Sequence, residues 1–153
     1  MMKAIKVTIL SVILAAVTCC LCSGQVKVKV KNGVPNELNK DMFREVVADY
    51  INNPDEFKYV GKKPAIIDFG ATWCGPCNQM DPIIAQTARE YKGKIYVYKV
   101  DVDKEKELAS LFRVQNIPTL LFIPMEGQPI RSVGALSREQ IRHIVDTELL
   151  GKE

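Results

Sequence analysis

A continuous apolar run holding a single acid, Pro64–Gly70 (P-A-I-I-D-F-G), leads within four residues into Trp73-Cys74-Gly75-Pro76-Cys77 and then into a helical pattern. This join constrains the fold more than any other stretch. An uninterrupted apolar run reads as a central strand buried on both faces, which needs helices above and below it. Beyond Cys77, the residues Met80, Ile83, Ile84, Thr87, Ala88 and Tyr91 recur at helical spacing and predict an inward face ending near Tyr91. Pro82 falls inside that helix and is expected to kink it.

The remaining segments extend the same pattern. Gln25–Lys31 (Q-V-K-V-K-V-K) alternates strictly, the signature of a half-buried strand, with lysines that discourage edge-to-edge pairing. Asn32-Gly33 marks a turn. A helix is expected over 39–51, capped by Asn39, stapled by Leu38 and Phe43, and stopped by Asn52-Asn53-Pro54. Its inward face is Phe43, Val46, Val47, Tyr50 and Ile51. Ile95–Asp101 reads as a second central strand. Asp103 is placed to cap a short helix holding Leu108, Leu111 and Phe112. Pro118–Ile123 reads as a strand, Glu126-Gly127 as a turn and Ile130–Val133 as an edge strand. Ser137-Arg138-Glu139-Gln140 forms a capping box opening a last helix through Ile141, Ile144, Val145 and Leu149. The order β-α-β-α-β-α-β-β-α implies an α/β domain whose mixed central sheet is flanked by helices on both faces.

The first 24 residues are read as lying outside that domain, which then occupies 25–153. Lys3 and Lys6 precede an apolar run of 16 residues, Val7–Cys22, and small residues follow at Cys22, Ser23 and Gly24. This is the layout of a removable secretory signal. The run is shorter than the roughly 20 residues a membrane-spanning helix needs. An uncleaved anchor and lipidation at Cys19 are the alternatives, and Thr18 is a poor fit to the small residue a bacterial lipoprotein signal places before its cysteine. Removal of residues 1–24 leaves two of five cysteines, Cys74 and Cys77, and 19 basic against 18 acidic residues, a net charge of +1. Such a surface makes no case for nucleic acid or an anionic membrane as partner.

A cysteine pair spaced C-x-x-C at the mouth of a helix has a definite chemical consequence. The unpaired N–H groups and dipole of the helix tip favour a thiolate at Cys74, lowering its pKa below the free value of about 8.5. Cys77, one turn further in, can attack a mixed disulfide formed at Cys74. A structural zinc site is the competing use of such a pair. Zinc usually takes four Cys or His ligands, and the chain beyond residue 24 adds only His143 to the two thiols. A purely structural disulfide would close a tiny loop and restrain the unfolded chain little.

Three stretches together resemble the thioredoxin family. Ile67-Asp68-Phe69-Gly70-Ala71-Thr72-Trp73-Cys74-Gly75-Pro76-Cys77 is similar to its strand and active-site loop. Asn116-Ile117-Pro118-Thr119 is similar to its cis-proline loop, and Val133-Gly134-Ala135-Leu136-Ser137 to its glycine turn. The similarity spans about 34–150. It implies a thioredoxin fold and reversible dithiol–disulfide exchange with no organic cofactor and no metal. It makes Asp68, whose pKa burial should raise, the proton acceptor and donor for Cys77. It puts Lys99 near Asp68, where charge pairing would pull that pKa back down. It implies a cis Ile117–Pro118 bond and a shallow surface of Trp73, Gly75, Pro76, Ile117, Pro118, Gly134 and Ala135 around Cys74, with the Ile117 backbone pairing with an extended substrate. Two positions depart from the family's pattern: Gly70 replaces a frequent large aromatic, and Asn78 a frequent lysine. Asp81 adds a negative charge one turn beyond Cys77.

The resemblance implies disulfide-containing proteins as substrates, with reduction the expected direction because Gly75-Pro76 is the dipeptide of reducing thioredoxins. A disulfide oxidase or isomerase is the alternative within the class, and a redox-inert binding module the alternative outside it. The export signal points to a bacterial periplasm or cell envelope. Electrons would then come from an upstream thiol protein or a membrane donor, and the protein is expected to be a monomer.

Overall fold

The computed structural model describes residues 28–52 and 56–152. The segment read as a removable signal lies outside the described residues. The elements run β1 (Asn36–Glu37), α1 (Lys40–Val46), β2 (Ala65–Gly70), α2 (Gly75–Glu90), β3 (Tyr96–Asp101), α3 (Lys106–Leu111), β4 (Thr119–Ile123), β5 (Ile130–Val133) and α4 (Arg138–Ile144), with a π-helical turn over Val145–Leu149. The five strands form one sheet in the order β1-β3-β2-β4-β5. β1, β3 and β2 are mutually parallel neighbours, while β4 and β5 run antiparallel. This is the expected mixed sheet and the expected element order.

Strand alternation divides the core in two. On one face Phe43, Ile67, Phe69, Tyr98, Leu108 and Leu121 pack together under α1 and α3. On the other, Ile66, Met80, Ile84, Leu120, Phe122, Ile141 and Val145 pack between the sheet, α2 and α4. Each fully buried aliphatic or aromatic side chain contributes about 1.5–3 kcal/mol, so both layers are needed to hold β2 at the centre. The same alternation puts Asp68, two residues after Ile66, on the face that carries α2. Its ladder neighbours there are Lys99 on β3 and Leu120 on β4.

Four sequence expectations are corrected. The described part of the alternating segment, 28–31, joins no ladder, while residues 25–27 lie outside the described residues. The Asn36 side chain captures the Lys31 backbone, accepting from its N–H at 2.9 Å and donating to its carbonyl at 2.9 Å. It also donates to Val97 O at 3.2 Å, fixing β1 beside β3. Second, α1 stops at Val46 rather than continuing to residue 51. The Val47 carbonyl accepts instead from Val60 N–H at 2.8 Å, and Ile51 is exposed. Third, Leu111 is exposed: the six-residue helix buries only Leu108, with Phe112 partly buried at its C-cap. Fourth, Asp103 does not cap α3, whose N-cap is Glu105 with no side-chain cap bond.

Local signals elsewhere match the observed structure. Asn39 caps α1, accepting from Met42 N–H at 2.8 Å. α2 ends at Glu90 with Tyr91 as its C-cap, the predicted end, and includes Pro82 within its span. At α4, Ser137 Oγ accepts from Gln140 N–H at 3.3 Å while Gln140 Oε1 accepts from Ser137 N–H at 2.8 Å. Ser137→Ala is expected to lower stability by about 1 kcal/mol, read as a lower urea midpoint with unchanged slope.

Candidate active site

The site forms where β2 ends and α2 begins. Ala71 O accepts from Cys74 N–H at 3.1 Å, which closes the connecting turn. Cys74 is the N-cap of α2, in an extended conformation (φ −80°, ψ 106°), and Pro76 sits in the first helical turn, where a missing N–H costs nothing. The capping atom is the sulfur itself. Cys74 Sγ accepts from Cys77 N–H at 3.2 Å. The helix tip therefore aims an otherwise unpaired donor at the sulfur of residue 74, as the spacing of the motif predicts.

The two sulfurs are bonded to each other, S–S 2.12 Å, with Cα atoms 5.2 Å apart. Both cysteines are buried, and with Ala71 they form a small apolar cluster against which Val102 and Ile117 pack. The Ile117–Pro118 bond is cis, as the resemblance implies. The glycine turn is tied to the same loop: Gly134, at φ +94°, donates its N–H to Pro118 O at 2.8 Å. Trp73, Gly75, Pro76 and Ala135 are exposed around this centre. Trp73 is 70% exposed, which makes it the most accessible large hydrophobic side chain among the described residues.

Behind Cys77 lies a polar cleft of about 330 Å³ whose walls include Asp68, Gly70, Cys77, Asp81 and Lys99. Asp68 is almost fully buried, and its Oδ1 has no hydrogen-bond partner among the described residues. Burial pushes its carboxyl up to about 6; the Lys99 ammonium opposes that rise and the Asp81 carboxylate adds to it. Gly70 forms the floor: a Cβ there would lie 3.4 Å from Cys77 Cβ and Sγ.

Lys99 lowers the proton affinity of Asp68, as the resemblance implies, and has a second carboxylate partner. It stands beside Asp68 in the sheet register, but its Nζ is ion-paired to Asp81 Oδ1 at 2.5 Å. Two further contacts were not legible from residue type. Trp73 Nε1 donates to Asp103 Oδ2 at 2.7 Å, so the aspartate expected to cap α3 holds the exposed indole instead. Asn78 Nδ2 donates to Thr72 O at 3.2 Å, fastening the loop before Cys74. The first joins residues 30 apart that only the fold brings together, and the second runs from the first turns of α2 back to the loop that precedes it. His143 lies on α4, and among the described residues no cluster of three or more His, Cys, Asp or Glu could hold a metal.

Comparison with known proteins gives the same answer as the geometry. The family model described as Thioredoxin matches residues 35–147. Thioredoxin from Borreliella burgdorferi is 44% identical over 108 residues, covering 71% of this chain and 92% of that protein. Thioredoxin 1 from Chlorobaculum tepidum is 38% identical over 91 residues, covering 60% and 90% respectively. Among solved structures, chloroplastic thioredoxin z superposes with a TM-score of 0.60 at 30% identity, over 78% of this chain and 96% of that one. A thioredoxin from Halobacterium salinarum shares the fold at a TM-score of 0.61 and 23% identity, over 78% and 95%. This family exchanges thiols for disulfides without a cofactor. The chain belongs to the thioredoxin family, and it is a thiol–disulfide oxidoreductase of the protein-disulfide-reductase type whose redox pair is Cys74 and Cys77.

Proposed function

We propose that the protein is an exported reductant of protein disulfides, working in a bacterial periplasm or cell envelope. The observation that carries the mechanism is the hydrogen bond from the α2 tip to Cys74 Sγ. In the reduced protein the same donor and the helix dipole favour a thiolate at that atom. Cys74 S⁻ attacks a substrate disulfide, forming a mixed disulfide and expelling one substrate thiolate. Asp68, ionised, takes the proton from Cys77 through the cleft they share. Cys77 S⁻ then attacks Cys74 Sγ, closing the Cys74–Cys77 disulfide and releasing the second substrate thiolate. Two electrons pass to the substrate, whose thiolates take up two protons, one returned by Asp68 and one from solvent.

The substrate surface is flat. Trp73, Gly75, Pro76 and Ala135 are exposed, Ile117 and Gly134 are half-buried with Pro118 buried beside them, and the Ile117 backbone at the cis bond would pair with an extended chain. Such a surface suits flexible disulfide segments of proteins. Lys99 acts by its charge on Asp68. Because an exported enzyme is cut off from cytosolic reductants, its electrons come from an upstream thiol protein or a membrane donor. Both thiols of the exchange lie in one chain, which supports a monomer as the working form.

Equilibration of the purified protein with glutathione tests the direction. A midpoint of about −270 mV is expected; one of about −120 mV would make the protein an oxidant instead. Export is tested by reducing and alkylating the protein recovered from the cell envelope. Removal of residues 1–24 leaves two alkylated cysteines, whereas an uncleaved anchor leaves five.

A further inference from the structure

The Asp81–Lys99 ion pair sits at the edge of the cleft that joins Asp68 to Cys77. Its side chains are 43% and 30% exposed, so as a surface pair it contributes little to stability. Its position is what matters. Lys99 is the direct neighbour of Asp68 across the β2–β3 ladder, so both side chains leave the sheet on the α2 face. A lysine so placed has a buried carboxylate within its natural reach. Its ammonium nevertheless bonds to Asp81 on α2, at 2.5 Å, and Asp68 Oδ1 is left without a partner among the described residues.

We propose that Asp81 is a positioning residue that holds the Lys99 ammonium on the α2 side of the cleft, so that it does not close on Asp68 and the buried carboxyl stays able to carry a proton for Cys77. The inference rests on the reading of Asp68 as the proton carrier. The other charged groups on the cleft do not substitute for Asp81. From β3, Asp101 is paired with Lys104 at 3.1 Å, which occupies both. Glu37 on β1 lines the wall beside them without an ion pair to Lys99. β4 presents Leu120 to Asp68 and no charge. Asp81 and Lys99 are thus the two charges that set the field at Asp68, and both act on it in the observed direction, Lys99 lowering and Asp81 raising its proton affinity.

The test is a double-mutant cycle read on Asp68 itself, by carboxyl-carbon NMR titration of the oxidised full-length protein. In the parent, Asp68 is expected to titrate near 6. Asp81→Asn should move that midpoint down, since a like charge is lost and Lys99 is freed to approach. Lys99→Met should move it up. The decisive comparison is Asp81→Asn made in the Lys99→Met background, where the downward shift should shrink because no ammonium remains to be released. An equal shift in both backgrounds would reduce Asp81 to a distant charge and overturn the proposal, as would no shift at all. The acid limb of the pH profile for insulin reduction should follow the Asp68 midpoint in each variant. If the midpoints move as expected but the limb stays fixed, the placement of Lys99 by Asp81 stands, and the reading of Asp68 as proton carrier fails.

Discussion

Cys74→Ser is expected to lower insulin-disulfide reduction by at least about 10³-fold while leaving the fold intact, a loss of the size that follows removal of an enzyme's nucleophile. The fold should survive because the substitution preserves the local function of the residue. Cys74 is the N-cap of α2, its side chain accepting from Cys77 N–H. Serine is among the best N-cap residues, so Oγ takes over the same bond. Chemistry is lost because a hydroxyl is not ionised by a helix tip at neutral pH, whereas a thiol is. Cys77→Ser makes the complementary variant. It should still attack, then stall, so that a mixed disulfide with the substrate accumulates and survives denaturing electrophoresis without reductant. The parent for comparison is the reduced protein, since both variants lack the cross-link. Retention of turnover by Cys74→Ser, or trapping by Cys74→Ser rather than Cys77→Ser, would reverse the assigned roles.

The legible and illegible parts of this molecule separate along physical lines. β2 and β3 were evident because a strand buried on both faces has to be apolar throughout, and Ile66, Ile67, Phe69, Val97 and Val100 are all buried. The Ser137 box and the Asn39 cap were evident because capping is a contact between residues three apart, which sequence displays directly. Residues 28–31 form no ladder despite their alternation, because the Asn36 amide claims the Lys31 backbone. The C-terminal half of α1 was overextended because its end is set by Val60, a residue 13 positions after Val47. At the site, the cysteines and Asp68 could be assigned from position in a strand–helix join. The partners of Lys99 and Asp103 could not. Each bonds across a gap between elements, Lys99 to Asp81 on α2 and Asp103 to Trp73 before α2, and a charged side chain's choice among neighbouring partners is made by tertiary geometry.

Asp68→Asn is expected to stabilise the oxidised protein and slow it in the same stroke. The carboxyl of Asp68 is held near 6 in the fold against 3.8 for a free side chain, chiefly by burial. Between those values the native state keeps a proton that the unfolded chain has released, so stability falls as pH rises through the window from about 4 to 6. Below it both states are protonated and no difference exists. Above it the ionised, buried carboxylate costs the fold about 3 kcal/mol, the free-energy equivalent of moving the titration from 3.8 to 6. The isosteric amide does not ionise. Urea unfolding of parent and variant should therefore agree near pH 3.5 and diverge towards pH 7, with the variant more stable by up to about 3 kcal/mol. Parallel stability curves across that range would mean that Asp68 is not titrating abnormally. The cost falls on catalysis. Without its acceptor, the Cys77 thiol must lose its proton unaided before it attacks, so resolution of the mixed disulfide should slow by about 10²-fold at pH 7, the usual size of a lost general base. Because that deficit is one of ionisation, it should shrink steadily as the pH is raised and hydroxide replaces the missing acceptor. A fold that gave up this acid would be sturdier, and the burial that makes the charge costly is what lets the group take and return a proton near neutral pH.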